Sequence, residues 1–141
     1  MKKALLLGVF LLLVVATVIA CTSQKEAEYK KGIELIRQEE WQEASLALSL
    51  PALENYSHAQ ALQRYVNAKL DMQKGYIAPA AGTVIKIPDD YNGYFSEQVL
   101  AFKKEVLQKL TELTTEQIND QYKAKEYEEK QKSQKYQPGR S

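Results

Sequence analysis

The sequence predicts an all-α chain: two helical hairpins followed by a C-terminal capping helix. Three observations carry this. Apolar residues recur at spacings of three and four in several short stretches. The pattern of the first hairpin returns further along the chain. The stripe Val99, Phe102, Val106, Leu110 and Leu113 then gives the cleanest helical period in the protein.

The first helix lies in "EAEYKKGIELIRQ", where Tyr29, Gly32, Ile33 and Ile36 share one face. Ser23 and Glu26 ahead of it have the S-x-x-E form of a capping box, in which the serine and the glutamate satisfy free amides at the helix start. The second helix, "EEWQEASLAL", carries Trp41, Ala44 and Leu48, and Pro51 is expected to stop it. Trp41 is expected in the core. The third, within "YSHAQALQRYVNAKLDMQKG", is expected to start from a Ser57 to Gln60 capping box and to end at Gly75; its stripe is Ala59, Leu62, Val66 and Leu70. A shift of 36 residues pairs Tyr29 with Tyr65, Gly32 with Ala68, Ile36 with Met72, Trp41 with Ile77, Ala44 with Ala80 and Leu48 with Val84.

This spacing resembles the tetratricopeptide repeat, a helix-turn-helix unit of about 34 residues with a small residue in its first helix and an A-x3-F element in its second. Gly32 and Ala68 stand at the small position, and Ala44-x3-Leu48 and Ala80-x3-Val84 at the second element. Glu28 and Lys31 stand where that family has its tryptophan and leucine, and Asp71 where it has a tyrosine. The resemblance covers residues 24 to 90 and implies a solenoid-like pair of hairpins with a surface for a peptide or protein.

Two segments follow the repeat less easily. In "IAPAAGTVIKIP", Gly82, Thr83, Val84 and Ile85 favour extended structure when read alone, whereas the repeat register demands a helix. The register prevails, because a lone strand has nothing to pair with, and the helix is expected to be short. In "IPDDYNGYFSEQ", a calcium loop fails because Pro88 and Val99 occupy ligand positions; the segment is a turn with left-handed backbone at Asn92-Gly93 and Ser96 capping the next helix.

At the N-terminus, "LLLVVATVIACTSQKEAEYKKG" passes abruptly from hydrocarbon to charge. Lys2 and Lys3 precede an apolar run from Ala4 to Ala20, a length between a secretory core and a membrane span. The border, Val18-Ile19-Ala20-Cys21, resembles the lipobox of bacterial lipoproteins. That resemblance implies a signal peptide over residues 1–20, cleavage before Cys21, diacylglycerol on its thiol and a lipidated N-terminus over residues 21–23. A retained membrane helix and a cleaved chain with a free thiol are the competing readings. With no second cysteine for Cys21 to pair with, lipidation is the favoured one. The lipid would tether the chain on the outer side of the cytoplasmic membrane, or in an outer membrane where one exists.

Composition limits the rest. A formal charge of +1 over 141 residues argues against general nucleic-acid binding. No catalytic constellation, metal-ligand spacing, phosphate-binding loop or cofactor motif is present; His58 is the single histidine and belongs to an exposed turn. Residues 24–113 are expected to form the helical domain and residues 114–141 a polar tail, helical or disordered. From Gln121 onward the tail carries six basic and three acidic residues. Tyr29, Tyr56, Tyr65, Tyr91 and Tyr94 lie near the repeats and are the candidate partner-binding surface, against the plainer role of filling space between helices. The expected function is noncatalytic docking of another envelope protein or peptide, with the membrane engaged through the lipid on Cys21. The alternative is a structural or envelope-stress lipoprotein whose tail associates with lipid or wall polymer.

Overall fold

The computed structural model describes residues 24–135. The expected signal peptide, Cys21 and the Ser23 half of the expected first capping box lie outside them, as do residues 136–141. The fold is all-helical, with no strand among the described residues. Its helices are α1 (residues 24–37), α2 (Trp41–Leu53), α3 (Ala59–Gln73), α4 (Ile77–Val84), α5 (Ser96–Leu110) and α6 (Thr115–Lys135). The chain divides into two compact units at residue 60. Residues 115–135, in the segment expected as a polar tail, are helical and belong to the second unit.

In the first unit, the α1 stripe of Tyr29, Ile33 and Ile36 is buried together with Ala44, Ala47, Leu48 and Ala52 of α2. Gly32 sets their separation: a Cβ there would stand 2.6 Å from both Cγ and Cδ2 of Leu48. Pro51 does not stop α2, which continues to Leu53. The ring lacks an amide for the helical ladder, but it is fully buried, and its carbonyl accepts the Tyr56 amide at 2.8 Å in the turn that closes the helix. Trp41, at the first position of α2, is half-buried rather than a core residue.

Three helices end in the same way. The Glu40, Tyr56 and Tyr76 amides reach back to Leu35, Pro51 and Asp71, while those of Glu39, Asn55 and Gly75 reach Ile36, Ala52 and Met72. Glu39, Asn55 and Gly75 are left-handed, with φ of 58°, 53° and 78°. Each is a Schellman closure, which satisfies carbonyls left open at a helix end. The 36-residue shift is visible in the backbone: α1 ends at residue 37 and α3 at Gln73, and α2 starts at Trp41 and α4 at Ile77. The residues before those starts, Glu40 and Tyr76, have nearly equal angles (φ −81°, ψ 70° and φ −86°, ψ 71°). Ala44, Leu48, Ala80 and Val84 are all fully buried.

The start of α3 departs from the expected capping box. Ser57 has φ of 49°, a left-handed conformation unlike that of a capping residue, and Gln60 Nε2 donates instead to Asn55 Oδ1 at 3.2 Å.

In the second unit, α4 is short, as expected, and packs against both α5 and α6. Arg64 Nη1 of α3 donates to the Lys86 carbonyl just past α4, at 2.7 Å. On α5, Val99, Phe102 and Val106 are buried, and Phe102 meets Tyr65 edge to face at 5.4 Å. Ser96 lies inside α5 rather than capping it; the residue before the helix is Phe95, and it carries the positive φ (59°) assigned to Asn92-Gly93 by the sequence. The buried Lys103 holds this connection, donating to Ile87 O at 2.5 Å and to Asp89 Oδ1 at 2.6 Å. A buried ammonium needs such partners to offset its desolvation.

Candidate functional site

The densest set of specific polar contacts in the second unit lies where α6 crosses α4. Its origin is a local deficit in α4. A helix start leaves amides without intrahelical partners, and Tyr76, the residue before α4, makes no side-chain cap. Pro79 has no amide to satisfy. The Ala78 amide is instead accepted by Gln121 Oε1 of α6, at 2.8 Å. Next to it, Tyr122 Oη donates to the Ala78 carbonyl at 3.1 Å.

Gly82 makes room for this tyrosine, since a Cβ at residue 82 would lie 3.0 Å from its hydroxyl. One turn further along α6, Lys125 Nζ meets the buried Asp71 carboxylate at 2.6 Å. Glu128 accepts from Lys74 at 2.5 Å, from the Tyr76 hydroxyl at 3.3 Å and from Lys132 of its own helix at 2.7 Å.

These contacts shift the titrating groups. Hydrogen bonds from Lys132 and Lys74 hold the Glu128 carboxyl down to about 2. Partial burial, and then the neighbouring Glu128 carboxylate, push the Tyr76 phenol up, and the hydrogen bond to Glu128 raises Lys132. Beside the contacts runs an open groove of about 440 Å³, lined by Gly82, Thr83, Lys86, Lys125, Glu126 and Glu129 among others. With carboxylates and ammonium groups interleaved, its character is mixed and polar.

Asp71 was visible in the sequence only as a departure from the tetratricopeptide pattern. In place of a packing aromatic it supplies the acceptor for α6. Gln121, Lys125 and Glu128, at spacings of four and three, form a stripe on one helix face. That stripe is polar, so a search for apolar periodicity passes over it, and no residue of α6 is buried.

The five tyrosines differ in exposure. Tyr29, Tyr65 and Tyr91 are buried. Tyr29 packs edge-on against the half-buried Tyr56 at 5.5 Å. Tyr91 donates its hydroxyl to the Tyr94 carbonyl at 2.9 Å, and Tyr94 alone of the five is exposed. His58 is exposed in the turn before α3. Among the described residues, no three or more histidine, cysteine or carboxylate side chains gather as a metal site would require, and no helix is long and apolar enough to cross a membrane. In comparisons with known proteins, the chain matches no family model, no curated protein and no solved structure.

Proposed function

We propose that this chain is a membrane-anchored bacterial lipoprotein acting as a noncatalytic docking module for a protein or peptide in the cell envelope. The observation that carries the reading is the 36-residue recurrence of helix ends, helix starts and small buried contact residues in α1–α2 and α3–α4. Units of tetratricopeptide type work by presenting helix faces rather than by chemistry. The Val18-Ile19-Ala20-Cys21 border supports the anchor, and with it the location. The alternative, a free cationic tail on lipid or wall polymer, draws less support, because Lys125, Lys130 and Lys132 are paired with Asp71, Glu126 and Glu128.

The test is crosslinking of the anchored protein in cells followed by mass spectrometry, with Cys21→Ser as the mislocalised control. A single protein captured by the wild type and lost in the control is the expected result. Capture of lipid or wall material alone overturns the docking reading.

A further inference from the structure

The attachment of α6 is unlike that of the other helices in its unit. None of its residues is buried, and the contacts that hold it to α4 and to the end of α3 are hydrogen bonds and ion pairs. Its own helical form draws on pairs along the helix, Glu126 with Lys130 and Glu128 with Lys132. What it covers is different in kind. Ala78 and Ala81 are each 2% exposed, Gly82 admits a close approach, the Ala78 amide has no acceptor within α4, and the Asp71 carboxylate is nearly buried. Small side chains, an orphan amide and a fixed negative charge make a surface shaped for a helix.

We propose that this face of α4, with Asp71 and Lys74, is the docking surface of the protein and that α6 occupies it in cis as a releasable strap. The inference rests on the docking reading above and specifies its site. The partner that fits is a helix of another protein presenting an amide, a tyrosine, a cation and a carboxylate at the spacing of Gln121, Tyr122, Lys125 and Glu128. Such a helix reproduces each contact that it displaces. The exchange therefore leaves neither the Ala78 amide nor Asp71 unpaired, which is the condition for one polar helix to replace another at low cost.

The test places Lys125→Asp in the full chain. This substitution sets a carboxylate against Asp71 but alters only a side chain of the strap, leaving the buried residues of α3 to α5 in place. A labelled peptide of wild-type sequence, residues 115–135, is the probe. In the variant, amide exchange in α6 should rise about tenfold or more while α3 and α5 keep their protection. The peptide should bind the variant and bind the wild-type chain at least about tenfold more weakly, because the face there is already filled. The double variant Asp71→Lys, Lys125→Asp should restore α6 protection and exclude the peptide. Unchanged exchange in α6, a joint loss of protection in α3 and α5, or equal binding of the peptide to both chains overturns the inference. Crosslinking in cells fails separately: a partner captured through residues away from α4 overturns the strap and leaves the docking reading standing.

Discussion

Gln121 of α6 accepts the backbone amide of Ala78 at 2.8 Å and so supplies, from a distant stretch of sequence, the N-cap that Tyr76 does not give α4. The consequence is measurable in both helices. Gln121→Leu removes the acceptor from a nearly buried amide and should cost about 1 kcal/mol of stability in urea unfolding. Gln121→Glu keeps an acceptor oxygen and places a negative charge at the positive end of α4, so it should retain or slightly raise stability. Equal losses for both variants would show that Gln121 acts only through its bulk.

The ion pair between Asp71 and Lys125 should be unequal in its two halves. The Asp71 side chain is 9% exposed and that of Lys125 29%. Lys125→Met strands a nearly buried carboxylate and should cost about 2 kcal/mol, intermediate between exposed and buried pairs. Asp71→Asn leaves a lysine that can turn to solvent, and should cost less. Adding Asp71→Asn to Lys125→Met should therefore recover part of the loss. A double-mutant cycle with coupling near zero would sink this account.

Acid should loosen α6 ahead of the rest of the second unit. Glu128 is held to about 2 by Lys132 and Lys74, below its ordinary 4.5, with the Tyr76 hydroxyl also facing it. A carboxyl depressed in the folded state favours folding while it is ionised. Its contribution is thus complete above about 4.5 and disappears as pH falls from there through about 2. Nearby, Asp71 and Lys125 form the second ionic contact of the strap. Amide exchange of α6 followed across that window should rise before that of α5, and Glu128→Gln should flatten the early phase. An identical acid profile in wild type and Glu128→Gln would refute the assignment.

The parts of this fold legible in sequence are those written in apolar side chains. Tyr29, Ile33 and Ile36 on α1, and Val99, Phe102 and Val106 on α5, are buried where their spacing puts them. The 36-residue shift places the starts of α2 and α4 at Trp41 and Ile77. Two kinds of information were hidden. Proline at residue 51 reads as a stop, but its ring is buried within α2 and the helix runs on to Leu53 before the Tyr56 amide closes it on the Pro51 carbonyl. The seam of α6 on α4 depends on side chains that reach 43 to 54 residues back along the chain, and their polar stripe looks like a solvated face until the partners are known. Spacing alone does not say which way a tyrosine goes: a ring that suits recognition also suits the gap between two short helices, and Tyr29, Tyr65 and Tyr91 are buried while Tyr94 is exposed.

At Gly32 two effects of opposite sign compete. Alanine in the middle of a helix is favoured over glycine by about 1 kcal/mol. A Cβ here, however, would stand 2.6 Å from Leu48 Cγ, the branch point of that side chain rather than its mobile tip. The two helices would have to part, and overpacking of this kind costs about 1–3 kcal/mol. Gly32→Ala should thus lower stability by up to about 2 kcal/mol, because the steric cost outweighs the gain in helix propensity. In a Leu48→Ala background the same substitution should become neutral or favourable. Stabilisation by Gly32→Ala in the wild-type chain would mean that α1 and α2 are not in close contact here.

The repeated Schellman closures give the sharpest comparison, because two equivalent positions hold different residues. Gly75, with φ of 78°, stands 36 residues after Glu39, with φ of 58°. The left-handed region costs a residue with a Cβ about 1 kcal/mol or more. Gly75→Ala should destabilise by about that amount, since nothing else crowds the site: no atom lies within 4 Å of a Cβ built there. Glu39→Gly should do the reverse. It relieves the strained conformation but adds freedom to the unfolded chain, leaving a net gain of about 0.5 kcal/mol. The two substitutions exchange the residue types of the paired positions, so their effects on urea midpoints should have opposite signs. Matching signs would show that the turns after α1 and α3, alike in their hydrogen bonds, are not alike in their energetics.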